Sequence, residues 1–260
     1  MLLEIRDLTM YFGGLCAVKG LGLDLETREV VGLIGPNGAG KTTVFNLVTG
    51  VYRPSGGRVA LNGVNLVGLS ADRIASLGIA RTFQNIRLFK SLTVMQNLEI
   101  ALHEQAGYGT MDALLRSRRY HRGHKRIRDE ASVFLEMFGL NERAGELASN
   151  LPYGEQRRLE IARALARRPK VLLLDEPAAG MNRGEAQALA GLVRLILDEF
   201  SLGILLIEHQ MGLVMDVCDR LVVMSFGQEI ARGTPAAIQQ DPQVIQAYLG
   251  SRRWSRAPSN

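Results

Sequence analysis

The sequence predicts an α/β fold: a mainly parallel sheet whose chain is interrupted by an inserted helical subdomain. Three observations point there. Apolar strand-like runs alternate with helical patterns toward both ends of the 260-residue chain. From about residue 93 to 165 the pattern is helical, with almost no strand signal. A glycine-rich loop joins a buried strand to a helix near residue 40. Such alternation buries a parallel sheet between helices.

Each element follows from its residues. EVVGLIG (29–35) is a continuous apolar run ending in glycine, as a strand covered on both faces requires. KTTVFNLVTG follows as a helix closed by Gly50. RVALNGVNL places Asn62-Gly63 between apolar runs, a hairpin signal. GIARTFQ (78–84) reads as a further strand. Thr93 and Gln96 form a capping box ahead of an apolar stripe at Val94, Leu98, Ala101 and Leu102. Ile127, Ala131, Phe134, Leu135 and Phe138 recur at helical spacing as core-facing residues, and Gly139 closes that helix. VLLLDE, GILLIEH and RLVVMSFG are strands, separated by the helices GEAQALAGLVRLILDEF and MGLVMDVC. Thr234-Pro235 is an N-cap with proline at the first helical position, and a closing helix, DPQVIQAYLG, ends at Gly250.

The length suits one domain with a subdomain. Hydrophobic residues make up 47%, ordinary for a globular protein. No apolar run approaches the roughly 20 residues of a membrane-spanning helix. The opening MLLEIRDLTMYF carries Glu4 and Asp7 and lacks the order of a signal peptide, so a cytoplasmic location is expected. Cys16 and Cys218 match no metal spacing and read as ordinary residues of a reducing compartment. The net charge of +5 is uneven: RSRRYHRGHKRIR (116–128) holds seven Lys or Arg and no acid, and the tail SRRWSR adds three arginines. Such a patch faces water, a membrane-proximal surface or nucleic acid; no nucleic-acid module signature accompanies it.

The chemistry starts at Gly35-Pro36-Asn37-Gly38-Ala39-Gly40-Lys41-Thr42, which fits G-x-x-x-x-G-K-[ST] between a strand and a helix. The glycines let the backbone wrap a polyphosphate, and successive N–H groups at the helix start point at the anion. Lys41 supplies a charge for the β and γ phosphates. Thr42 offers a hydroxyl to Mg²⁺, and Thr43 a further donor. VLLLDE ends in two acids: Asp175 suits the metal side, directly or through water, and Glu176 can orient and activate an attacking water. His209, just past the GILLIEH strand, can contact a γ phosphate and sense its loss.

The phosphate loop, Gln84, the turn LPYGE (151–155), Asp175-Glu176 and His209 occur in one order along the chain. That order resembles the ATP-binding cassette of ABC transporters, over essentially the whole chain. The resemblance implies a P-loop NTPase (RecA-like) core with a mainly parallel sheet and an antiparallel β region, formed by residues 1–87 and 166–260, and a helical subdomain at 88–165. It implies an ATPase with ATP and Mg²⁺ as cofactors. It also implies that Tyr11 stacks on adenine, core packing being the other reading of that tyrosine. Gln84 is implied to contact Mg²⁺ and water and to hinge to the helical insert.

The same resemblance makes LPYGE a signature motif that acts in trans, on ATP bound by a second cassette. Pro152 replaces the usual serine and has neither its hydroxyl nor an N–H. Glu155 replaces a neutral glutamine and brings negative charge unless Arg157 or Arg158 offsets it. Gly154 and the helix dipole remain for closure. In PAAGMN, which touches the other subunit in the family, Asn182 stands where many members have aspartate.

RTFQNIRLFKSLTV, YGEQRRLEIARAL, LLLDEPAAGMN, LLIEHQMGLVM and VIQAYLG together resemble the LivG-like cassettes of branched-chain amino acid importers. Their signature has the form L-x-Y-G. That resemblance implies a second cassette subunit of the LivF type, or a homodimer in isolation, two transmembrane permease subunits, an external substrate-binding protein, and a peripheral position on the inner face of the membrane. No nucleic acid is expected. The alternatives are a soluble cassette ATPase acting on nucleic acid or ribosomes, and a cassette of another transport pathway. The first usually carries a long coiled-coil insert or a second cassette; here one phosphate loop and a compact insert stand.

Overall fold

A computed structural model of the protein describes residues 1–103 and 106–249. Gly250, the expected end of the last helix, and the arginines of SRRWSR lie outside the described residues. The chain divides into two compact units, Met1–Gln84 with Pro169–Asn260, and Asn85–Arg168.

The first unit holds two sheets. One is antiparallel: β1 (Leu3–Phe12), β2 (Leu15–Leu25), β4 (Gly56–Leu61) and β5 (Val64–Asn65), in the order β2-β1-β4-β5. β1 and β2 are long, 10 and 11 residues, and they stay paired by passing through bulges, among them one between Met10 and Tyr11. Asn62 and Gly63, φ 47° and 79°, make the two-residue turn that joins β4 to β5.

The other sheet has the order β10-β9-β3-β8-β7-β6. Its strands are β3 (Val30–Ile34), β6 (Ile79–Arg81), β7 (Val171–Asp175), β8 (Gly203–Ile207), β9 (Arg220–Ser225) and β10 (Gln228–Gly233). All pair in parallel except β10. Every residue of β3, β7 and β8 is buried, which is why these strands read as unbroken apolar runs. Around the sheets run α1 (Lys41–Val48), α2 (Ala71–Leu77), α7 (Arg183–Phe200), α8 (Met211–Val217), α9 (Pro235–Gln239) and α10 (Pro242–Leu249). One apolar core, from Leu3 and Leu23 to Phe45, Leu173 and Leu205, joins the two sheets.

Two strands differ from expectation. GIARTFQ keeps strand pairing only over Ile79–Arg81. Thr82 still donates its N–H to the Leu173 carbonyl at 2.9 Å and its Oγ1 accepts from Asp175 N–H at 3.4 Å, and the strand ends there. RLVVMSFG ends at Ser225, because Phe226 and Gly227, φ 47° and 79°, turn the chain into β10. β10 is a polar, partly exposed edge strand, QEIARG, with no apolar alternation to announce it.

The second unit is helical: α3 (Val94–Leu102), α4 (Thr110–Leu114), α5 (Arg118–Met137) and α6 (Tyr153–Ala166). The Thr93 capping box forms in both directions, and α3 packs on α5 and α6. Asn97, fully buried, donates to the Phe89 and Thr93 carbonyls and accepts from Phe89 N–H at 3.0 Å, which ties the entry loop to α3.

Candidate active site

The phosphate loop leaves the C-terminal end of β3 and enters α1 at Lys41. Two glycines are required by its shape. At Gly35 (φ 149°) a Cβ would strike the Met224 carbonyl, and at Gly40 (φ 101°) the Ala17 carbonyl. A cavity of ≈ 470 Å³ opens against this loop, lined by Asn37, Gly38, Ala39, Gly40, Lys41, Thr42 and Thr43. Glu176, His209, Phe12, Leu15, Cys16, Ala17, Phe226 and Gly227 complete the lining. Its size is within the range of ligand sites.

Lys41 is buried, and its Nζ donates to the Gly35 carbonyl at 2.8 Å and to that of Pro36 at 2.9 Å. Burial pushes the ammonium down to about 8, while the charges of Glu176 and Asp175 draw it back up. The loop thus holds its cation on backbone oxygens, ready for an anion that would compete better.

Glu176 follows the end of β7 in a left-handed conformation, φ 47°, a geometry that costs of order 1–3 kcal/mol in a non-glycine residue. Its N–H is anchored on the Ile207 carbonyl at 2.8 Å. Its carboxylate is held at both oxygens: Oε1 is 2.7 Å from His209 Nε2, and Oε2 accepts from Gln84 Nε2 at 2.9 Å. Parallel pairing of β7 with β8 and with β6 brings these three residues together. Asp175, the last residue of β7, is buried and pairs through Oδ2 with the Arg81 guanidinium at 2.7 Å.

Sequence reasoning missed two residues here. Arg81 bridges Asp175 and Asn46 Oδ1, both at 2.7 Å, with its guanidinium over the Phe45 and Phe83 rings. A lone cation in the otherwise apolar run GIA-R-TF was the available signal. Glu208, 2% exposed, accepts from the backbone N–H groups of His209, Gln210 and Ala178, and so ties the loop after the acids to the loop that carries His209.

Tyr11 stands elsewhere than expected. It is exposed and outside the cavity lining, with its N–H on Ser55 Oγ, whereas the adjacent Phe12 lines the cavity and meets Tyr52 edge-on at 5.2 Å. Tyr11 is paired across the strands with Cys16 and its side chain hydrogen-bonds that residue, whereas Phe12 is paired with Leu15; Cys16 and Leu15 both line the cavity.

Pro152, Gly154 and Glu155 lie in the helical unit. Pro152 is the N-cap of α6 and contributes no side-chain cap. Glu155 is offset by Arg143 at 3.6 Å and Arg158 at 3.7 Å. Arg157 does not serve: it is wholly buried and paired to Glu160 at 2.7 Å. Asn182 caps α7 in a box with Glu185, at 2.9 and 3.0 Å.

The family model described as "ABC transporter" matches residues 18–179, more than half of the chain. The chain belongs to the ABC transporter family. As a cassette of that family it is an ATPase. A second model, "Branched-chain amino acid ATP-binding cassette transporter", matches residues 228–253. The cassette is 49% identical over 249 residues to the high-affinity branched-chain amino acid transport ATP-binding protein LivG of Salmonella typhimurium, covering 96% of this chain and 98% of that protein. It is 47% identical to the corresponding BraF of Pseudomonas aeruginosa, with the same coverage. Among solved structures it resembles the ADP conformation of MJ1267, an ATP-binding cassette of an ABC transporter, with a TM-score of 0.83, 30% identity, and 96% and 99% of the two chains covered.

The donors in the cassette suit Mg²⁺. Thr42 offers a hydroxyl to the cavity, and Asp175 is a buried carboxylate; hard oxygen donors of this kind, one or two carboxylates with phosphate completing the shell, are what Mg²⁺ takes. Among the described residues no group of three His, Cys, Asp or Glu could hold a metal by itself.

Proposed function

We propose that this cassette is the ATP-hydrolysing subunit of an importer of branched-chain or related amino acids. The observation that carries the chemistry is the Glu176 carboxylate, fixed between His209 and Gln84 at the cavity that Lys41 lines. The likeness to LivG and BraF along nearly the whole chain supports the transported class.

ATP lies with its base toward Phe12 and its phosphates on the N–H groups of the loop from Asn37 to Thr43. Lys41 leaves the Gly35 and Pro36 carbonyls for the β and γ phosphates. Glu176 orients a water in line with the γ phosphate and accepts its proton. His209 holds that carboxylate and reads the γ phosphate; Gln84 holds its other oxygen. Thr42 and Asp175, with Gln84 close to the acids, would hold Mg²⁺, which would supply positive charge to the phosphate oxygens.

The second cassette is a paralogous LivF-type chain, and the pair works on two transmembrane subunits at the inner face of the membrane, served by an external binding protein. The start of α6, with Pro152, Gly154 and Glu155, addresses the nucleotide of that second cassette; Arg143 and Arg158 moderate the Glu155 charge. No described helix is long and apolar enough to cross a membrane, so the substrate path belongs to the partners.

The test is leucine uptake into ATP-loaded proteoliposomes that contain this chain and its partner subunits, with the binding protein outside. Uptake is expected with wild type and lost with Lys41→Ala. ATP turnover persisting in Lys41→Ala would overturn the site; ATP turnover without uptake of any branched-chain amino acid would overturn the transported class.

A further inference from the structure

The basic tract takes no part in the nucleotide chemistry. It forms the start of α5 and the turn before it, where Arg116 has φ 47°. Arg118, Arg122 and Lys125 follow at i, i+4 and i+7 and are exposed, while Gly123 and Ile127 are buried. Just before the tract, Met111, Leu114 and Leu115 are 65%, 75% and 71% exposed. Three large apolar side chains within five residues are thus left in water beside a run of cations.

The ridge and the cations are fixed to each other. Asp112 is the one acid between residues 106 and 128, and its carboxylate is engaged by Ser117 Oγ at 2.7 Å and Gly109 N–H at 3.3 Å. Arg119 Nε donates to the Gly107 carbonyl at 2.7 Å. Gly123 lies so close to Ala106 and Tyr108 that a Cβ there would strike both.

We propose that this surface of the helical unit, Met111, Leu114 and Leu115 beside Arg118, Arg122 and Lys125, binds the anionic headgroups of a lipid bilayer, with the apolar side chains entering the headgroup region. Cations of one sign next to exposed apolar side chains are what an interfacial surface needs. Nucleic acid would meet the cations and leave the ridge in water. A bilayer meets both, and asks no fixed pairing geometry of long arginine and lysine side chains. The proposal rests on the transporter reading only for a membrane being at hand. Vesicle binding needs no nucleotide, so its failure and a failure of ATP turnover are distinguishable.

The test is co-sedimentation of the full chain, at physiological salt, with vesicles of equal parts phosphatidylethanolamine and phosphatidylglycerol, and with phosphatidylcholine vesicles. Binding to the anionic vesicles is expected to exceed the other by about ten-fold or more. Arg118→Glu/Arg122→Glu/Lys125→Glu is expected to lose about ten-fold, and Leu114→Ser/Leu115→Ser several-fold with its charge intact. Arg53→Glu/Arg58→Glu/Arg73→Glu, the same charge change on exposed residues of the other unit, is expected to leave vesicle binding within about two-fold. Equal losses in the two charge variants would overturn the proposal, as would full binding by the leucine variant. Unchanged vesicle binding with lost assembly onto the transmembrane subunits would overturn it in favour of an acidic protein loop.

Discussion

Glu176 Oε1 lies 2.7 Å from His209 Nε2, although the two residues are 33 positions apart. Adjacent parallel strands β7 and β8 deliver them, one residue past one strand and two past the other. The pairing leaves Glu176 with little freedom, since Gln84 grips its second oxygen. A carboxylate so held is pre-aimed, and its left-handed backbone is the local cost of that aim.

Phe12 is expected to carry base stacking. Phe12→Ala should weaken ATP binding about ten-fold, in line with roughly 1–3 kcal/mol for an aromatic stacked on a base. Tyr11→Ala should change it less than about two-fold, because Tyr11 lies outside the cavity lining. Titration calorimetry of both variants decides, and the reverse order would restore Tyr11.

Lys41 makes two opposite pH slopes. Its ammonium is near 8 in the nucleotide-free protein against 10.5 for an ordinary lysine. Phosphates favour the ammonium, so ATP affinity should be full below about pH 8 and fall as pH rises through it, approaching about ten-fold per unit. Stability of the nucleotide-free protein should move the other way: between pH 8 and 10.5 the unfolded chain binds the proton that folded Lys41 has lost, so stability rises. Lys41→Met, followed by calorimetry and urea unfolding across this window, should remove both contributions. Equal slopes in wild type and variant would contradict the assignment.

Arg81 should be a stability residue of the site. Its guanidinium and the Asp175 carboxylate are both buried, so Arg81→Met leaves a charge without its partner and should cost about 3 kcal/mol in urea unfolding. Arg81→Met/Asp175→Asn should regain part of that loss. Strict additivity of the two single changes would show that the pair is not coupled.

Where side-chain patterning and local chemistry agree, the sequence was legible. β3, β7 and β8 are buried on both faces and read as apolar runs. The caps at Thr93 and Thr234 form with the expected bonds, and the residues of the phosphate loop sit between β3 and α1. The cluster of Glu176, His209 and Gln84 follows from strand order. What was not legible depends on pairing. β10 is a polar edge whose only signal is the Phe226-Gly227 turn. Phe12 rather than Tyr11 lines the cavity, next to a register shift between Met10 and Tyr11 that no local pattern announces. Arg81 reaches Asp175 94 positions away and Glu208 reaches Ala178 30 positions away, contacts that strand order sets.

The most direct measurement is single-turnover ATP hydrolysis by Glu176→Gln, with nucleotide binding measured on the same preparation. The amide keeps the shape at His209 and Gln84 but cannot take a proton. ATP should bind as in wild type, and hydrolysis should fall by about 10²–10⁴-fold. Hydrolysis within a few-fold of wild type would contradict Glu176 as the group that activates water, and with it the chemistry assigned to this site.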